Sequence, residues 1–455
     1  MKMTTPIRDF VVSYTEKTPL RLHMPGHKGV LLTGYEGDDI TEVAGADSLY
    51  EASGIIGESE ANASLLFGSP TYYSTEGSSQ CIRAMLYLAS LWHKVEHPLG
   101  RMKVLAGRNA HKTFLSALAL LDIDVVWLTP AEGTSYLSCP ITPADVAGAL
   151  DADGDISTVY LTSPDYLGHI LPIADIAEVC HQRGVLLLVD NAHGAYLKFL
   201  PKSLHPMDLG ADLCCDSAHK TLPVLTGGAY LHIGSHLPDL FCNHAKQALS
   251  LFGSTSPSYL ILQSLDMANA VLASKKYIVS LEKIAKQVEY CWRKLLNCGL
   301  RPTQTNEPLK LTLCPKQHGY TGVEVAAYLR ENGIECEFAD PDFVVLMITP
   351  AITERDLERV VEILTALPRR EAITECPPSV VTPVRALSVR EAMLSPAEVL
   401  DVKSCVGRVL GAATAGCPPA VPIVVSGERI SEDAVACFAY YGIETCVVVR
   451  EDATQ

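Results

Sequence analysis

The chain has 455 residues, 48% of them hydrophobic and 19% charged, with a formal net charge of -16. That length suits two or three domains with sizeable cores, and so low a charged fraction suggests surface buried against another subunit. The acidic balance argues against a nucleic-acid partner, whose phosphates it would repel; it fits either plain solubility or the steering of a cationic small molecule.

The 15 cysteines are odd in number and scattered through apolar runs, as at Cys180, Cys214, Cys215, Cys291 and Cys336. No paired Cys-x-x-Cys spacing marks a metal site, so buried reduced thiols in a cytoplasmic protein are expected, with no metal. Residues 1–10 carry charges and a proline but no apolar leader core. No apolar run reaches the roughly 18 residues of a membrane span.

The first thirty residues are polar and end in the Gly-, Pro- and His-rich stretch Arg21 to Gly29, which is expected to form a loop for much of its length. From about residue 60 the pattern alternates between helix and strand. Helices are expected over Ser78–Leu91, Lys112–Leu121, from Thr142 with Pro143 in its first turn, and over Ile173–Gln182, closed by Gly184. Strands are expected over Lys103–Gly107, Val125–Leu128, Thr158–Thr162, Val185–Asp190, Ala211–Cys215 and Gly228–Ile233. These strands are almost continuously apolar, as when helices cover both faces, so a largely parallel α/β sheet follows.

Long helices then occupy Ser258–Leu272 and Lys275–Asn297. Beyond Arg301-Pro302 a smaller α+β unit begins, with strands at Leu309–Leu313, Ile334–Phe338 and Phe343–Ile348 and helices at Val323–Arg330 and Glu354–Leu367. A Pro-rich linker, Cys376 to Pro383, leads to a final segment with its own helix and the strand Cys446–Val449. The reading divides the chain into an N-terminal segment (1–30), a large α/β domain (31–300), a small α+β domain (301–375) and a C-terminal segment (376–455).

Four stretches carry chemistry. Lys220, in Asp216-Ser217-Ala218-His219-Lys220-Thr221, follows a strand's carboxyl end, where ligands of open α/β sheets collect. Partial desolvation there makes a neutral amine available for a Schiff base; an exposed turn lysine is the alternative. Asp190 closes a buried strand and would suit a protonated pyridine nitrogen, or simply cap the next turn. Gly77-Ser78-Ser79 before an apolar helix is an anion site or an ordinary N-cap. His111, after the strand ending at Gly107, could lie over an aromatic ring or be a hydrogen-bonded structural residue.

Their order along the chain is the stronger signal: anion site, histidine, strand-end aspartate, then a strand-end lysine thirty residues later. That order resembles the fold-type-I pyridoxal-phosphate enzymes, the aspartate-aminotransferase-like superfamily. Pro25-Gly26-His27-Lys28-Gly29, Asp190-x-Ala192-His193-Gly194, Ser217-x-His219-Lys220-Thr221-Leu222-Pro223, Ser254-Thr255-Ser256-Pro257-Ser258-Tyr259 and Cys417-Pro418-Pro419-Ala420-Val421-Pro422 leading to Gly427-Glu428 narrow it. Together they resemble the ornithine/lysine/arginine decarboxylase family, in its short branch without an N-terminal wing.

The resemblance implies a fold-type-I large domain that binds pyridoxal phosphate and a smaller C-terminal part. It implies decarboxylation of arginine, lysine or ornithine to the amine and carbon dioxide, in polyamine metabolism. Lys220 would attach the cofactor, Asp190 would pair with the pyridinium nitrogen, and His111 would stack on the ring. Gly77, Ser78 and Ser79 would hold the phosphate, with Ser217 and His219 beside it and His193 lining the ring. His219 or Lys220 would return a proton to Cα. Thr255 and Ser256 would reach a neighbouring subunit's phosphate, making a homodimer or larger assembly. Glu76, Asn191 and Thr226-Gly227-Gly228 depart from the family's usual residues and put the substrate in doubt. Transamination or aldol cleavage on the same fold, or a silent cofactor-binding scaffold, are the rival readings.

Overall fold

The computed structural model describes residues 3–129, 135–303, 305–379, 383–415 and 423–453. The strands in chain order are β1 (Thr71–Ser74), β2 (Lys103–Gly107), β3 (Asp124–Leu128), β4 (Ile156–Thr162), β5 (Leu186–Asp190), β6 (Leu213–Asp216) and β7 (Ala229–Ile233). The helices that bear on the site are α1 (Pro6–Glu16), α2 (Ile55–Phe67), α3 (Ser78–Glu96), α4 (Lys112–Leu121), α5 (Pro143–Ala152), α6 (Ile173–His181), α7 (Ala218–Thr221), α8 (Asp239–Ser250) and α9 (Tyr259–Leu272). By its internal contacts the chain forms two compact units, Met1–Leu99 with Leu186–Ser280, and Gly100–Val185 with Leu281–Gln455.

In the first unit the strand order is β1–β7–β6–β5. β5 and β6 run parallel, with Asp190 level with Cys215. β7 runs antiparallel to both β6 and β1. β5 is buried along its whole length, and α3 buries Cys81, Ile82, Met85, Leu86 and Leu88. This is the residue pattern of a sheet whose apolar face is covered by a helix.

In the second unit β4–β2–β3 are all parallel. Helix α5 begins with a capping box: Thr142 accepts from the Asp145 N–H while Asp145 accepts from the Thr142 N–H, and Pro143 occupies the first turn. The smaller antiparallel sheet of this unit is built from Arg301–Pro302, Lys310–Cys314, Phe338–Ala339 and Val344–Met347. In the final segment the helix Glu432–Tyr440 and the strand Thr445–Val449 bury Cys437, Phe438 and Val448. They share one hydrophobic cluster with Tyr136, Leu137, Leu167 and Val345.

The α/β class and the parallel strands agree with the expectation, and several details differ. Residues 6–16 form a helix that was not anticipated. Pro6 at the first turn and Asp9 are start signals, but only Ile7 and Val11 are buried, too narrow a stripe to stand out in a polar segment. Helices α2 and α8 and strand β1 were also unanticipated; β1 has four residues and exists by pairing with β7. The third strand of the smaller sheet is confined to Phe338–Ala339, because Gly333 turns the chain at positive φ and Ile334–Glu337 leads into it. The stretch Cys417 to Pro422 lies outside the described residues. The described cysteines are free thiols, and among the described residues no helix is long and apolar enough to cross a membrane.

Candidate active site

The first unit brings two strand ends together. β5 ends on Asp190 and its parallel neighbour β6 ends on Asp216, one residue before the turn that carries Lys220. Asp190 is 2% exposed. Its Oδ1 accepts the Ala192 N–H at 3.2 Å and faces the Cys215 thiol at 3.6 Å. A carboxylate so placed costs free energy unless a cation or strong donor meets it.

Lys220 sits in the short helix α7, opened by Ser217. Its Nζ is 3.0 Å from His193 Nε2. His193 lies three positions after Asp190, so the end of β5 and the turn that leaves it supply both the buried carboxylate and the imidazole beside the amine.

The start of α3 lies in the same unit. Gly77 is its N-cap, at φ +73°, and donates its N–H to the Gly227 carbonyl at 2.7 Å. Having no side chain, Gly77 places nothing of its own over the first-turn N–H groups, where an anion is favoured. Ser217 Oγ donates to Ser78 Oγ at 2.7 Å, joining this helix start to the lysine turn. His219 faces the Gly228 carbonyl through Nδ1 at 3.0 Å. A carbonyl only accepts, so Nδ1 carries the proton and a neutral His219 keeps its lone pair on Nε2.

The unusual residues now have local reasons. Gly227 has φ +99°, and a Cβ there would lie 2.8 Å from the Thr75 carbonyl oxygen. Only glycine allows this backbone to close on the loop before α3. Glu76 is turned to the Ser254–Ser256 stretch, where its Oε1 accepts the Ser254 N–H. Ser254, Thr255 and Ser256 are exposed. Asn191 is fully buried and donates through Nδ2 to Asp216 Oδ1 at 2.6 Å.

Asp216 is the hub that sequence reasoning missed. Its Oδ2 accepts from both His205 Nε2 and His232 Nε2, each at 3.0 Å, and all three side chains are fully buried. Burial alone would raise the Asp216 carboxyl, but the two imidazoles hold it well below the usual carboxylate range. Burial disfavours the His232 cation. The available signal was His232, a polar residue inside the otherwise apolar β7.

Gly77, Ser78, Ser79, Asp190, His193, Ser217, His219 and Lys220 therefore all belong to the first unit. His111 belongs to the second, where it is the N-cap of α4 and its Nδ1 accepts the Thr113 N–H at 3.2 Å.

The donor set is complementary to pyridoxal phosphate. Its phosphate would find the start of α3 with the Ser78 and Ser217 hydroxyls, its ring nitrogen a buried carboxylate at Asp190, and its carbonyl a primary amine at Lys220. Each polar end of the molecule has a residue of complementary chemistry, so the residues fit the group.

Residues 5–305 match the family model described as Orn/Lys/Arg decarboxylase, major domain. The chain is 31% identical to an arginine decarboxylase of Halalkalibacterium halodurans, over 95% of this chain and 92% of that one. It is 28% identical to an arginine decarboxylase of Bacillus subtilis, over 99% and 96%. Its fold is similar to that of the Francisella novicida lysine decarboxylase LdcF, with a TM-score of 0.80 at 16% identity, covering 98% of this chain and 81% of the other.

Proposed function

Because this chain belongs to the Orn/Lys/Arg decarboxylase family, we propose that it removes the α-carboxylate of arginine or lysine at the site built around Lys220 and Asp190. Decarboxylation of a basic amino acid is the family's activity, and pyridoxal phosphate is the cofactor of that family and fold. The observation that carries the site assignment is the meeting of β5 and β6, whose adjacent carboxyl ends present a buried carboxylate, an imidazole and a primary amine. Every residue assigned to the site lies within the matched segment 5–305.

Pyridoxal phosphate, when bound, supplies a sink for the electron pair left when the bond from Cα to the carboxylate breaks. The residues of the chain do the rest. Lys220 Nζ would hold the cofactor through its carbonyl carbon. His193 Nε2, 3.0 Å from Lys220 Nζ, accepts a proton from the Lys220 amine and so frees its lone pair. Asp190, buried at the end of β5, would offer its carboxylate to the ring nitrogen from a position set before reaction begins, so no reorganisation is needed as charge builds up. The N-terminal turn of α3, with Ser78 and Ser217, binds the phosphate and orients the ring. Lys220 or His219 returns a proton to Cα; His219 is held for this by its Nδ1–H bond to the Gly228 carbonyl.

We further assign the phosphate of a neighbouring subunit to the exposed Thr255 and Ser256, so that the working form is a homodimer or larger.

The test is carbon dioxide release by purified protein with pyridoxal phosphate, offered arginine, lysine and ornithine separately, with the amine product identified. Release from arginine or lysine is expected. Release from none, by protein that has taken up the cofactor, would overturn the assignment.

A further inference from the structure

We propose that Asn191 and Asp216 form a matched positioning pair that sets the placement of Asp190 and of the strand end carrying Lys220. This proposal rests on the site assigned above. Its basis is a set of contacts concentrated on one peptide. The Asn191 N–H donates to the Cys215 carbonyl at 3.0 Å. Its side-chain Nδ2 donates to Asp216 Oδ1 at 2.6 Å. The next N–H, that of Ala192, donates to Asp190 Oδ1, which also faces the Cys215 thiol. The end of β5 is thus tied to the last two residues of β6, and Lys220 hangs from the same two residues through Ser217.

The pair has a definite charge logic. Asp216 meets Asn191 on one oxygen and His205 and His232 on the other. His205 Nδ1 accepts the Met207 N–H at 3.4 Å, which leaves Nε2 as its proton-bearing nitrogen toward Asp216. The other nitrogen of His232, Nδ1, faces Thr71 Oγ1 at 2.9 Å. Asn191 keeps its amide turned to Asp216 even though its own Oδ1 is buried and has no hydrogen-bond partner among the described residues. The bond to the carboxylate must outweigh that loss. A carboxylate at 191 would face Asp216 in a fully buried site, where two like charges are not both retained. Asn191 is therefore the residue that Asp216 demands. Conversely, an Asp216→Asn change made together with Asn191→Asp keeps the contacts among these four residues and gives up only the long Cys214 thiol contact to Asp216 Oδ1, at 3.9 Å: the new amide oxygen accepts from the two imidazoles, and the new amide nitrogen donates to the carboxylate at 191.

Neither residue is given a place against the substrate. They act through Asp190 and Lys220, so the readout is cofactor binding as well as rate. Full-length Asn191→Ala, Asn191→Asp and Asn191→Asp/Asp216→Asn proteins would be titrated with pyridoxal phosphate by visible absorbance, melted to confirm folding, and assayed for kcat and KM. Asn191→Ala, which leaves Asp216 with both imidazoles, is expected to melt cooperatively, to bind the cofactor about tenfold more weakly and to lose about tenfold in kcat with KM within about twofold. Asn191→Asp is expected to lose at least as much, and the double variant to return to within about threefold of the parent. A folded Asn191→Ala protein with the parent's cofactor affinity and kcat would overturn the proposal, as would a double variant no better than Asn191→Asp. If Asn191→Asp fails to fold, Asn191→Ala decides. Parent protein that takes up no cofactor would instead sink the site assignment itself, a result distinct from a loaded, active parent whose variants match it.

Discussion

Arg108 and Glu428 stand 320 positions apart and form a buried, two-pronged ion pair, with Nη1–Oε1 and Nη2–Oε2 both at 2.6 Å. Each side chain is 6% exposed. Glu428 Oε2 also accepts the Val425 N–H at 2.8 Å, and the Arg108 guanidinium lies 5.1 Å from the Trp127 ring centre. The pair fastens the final segment to the residue after β2. Removing one partner strands a buried charge, so Glu428→Ala should destabilise the protein by about 3–5 kcal/mol. Replacing both, as Arg108→Met/Glu428→Leu, should recover much of that loss. Denaturant titration of the three proteins checks both expectations.

Lys220→Ala should abolish covalent attachment of the cofactor and lower turnover by a factor on the order of 1,000 or more. The visible absorbance of the lysine-bound cofactor and the rate of carbon dioxide release are the measurements. A Lys220→Ala protein that still releases carbon dioxide at the parent rate would show that Lys220 is a surface-turn lysine.

Asp190→Ala should retain attachment through Lys220 and lose most of the rate, by about 100-fold, since it removes charge stabilisation that is in place before reaction. Steady-state kinetics at saturating cofactor would show it. An undiminished rate would make Asp190 a cap of the turn leaving β5.

Gly227→Ala should destabilise the loop before α3 by about 2 kcal/mol, because the positive φ and the 2.8 Å approach to the Thr75 carbonyl both resist a side chain. The same strain should reach the Gly77 N–H, which the Gly227 carbonyl accepts, and weaken phosphate binding. Cofactor titration and thermal melting measure the two effects.

Asp266 is fully buried, accepts the Ser59 hydroxyl and the Arg8 N–H, and so anchors α1. Burial pushes its carboxyl up to about 6. A folded-state value above the unfolded one favours folding when the group is protonated. That contribution is fully present below about pH 4 and is lost as pH rises through about 6, at most about 3 kcal/mol. Asp266→Asn should remove this dependence, so the difference in melting temperature between variant and parent should shift in the variant's favour between pH 4 and 6.5.

The sequence by itself determined the class of chemistry. Lys220, Asp190, His193 and Ser217 each stand at a strand end or in the turn beyond it, and strands are local enough to be read from apolar runs flanked by Gly and Asn. Helix bounds such as Lys112–Leu121 were legible for the same reason: periodicity and caps lie within a few residues of each other. Only the tertiary structure decided what holds those residues in place. Asp216 collects His205, His232 and Asn191 from up to 25 positions away, Asp266 pins a helix 258 positions upstream, and Glu428 finds Arg108 across 320. A buried carboxylate needs partners, but nothing in the chain near it says which, because the choice is made by strand register and by the loss of water around the group.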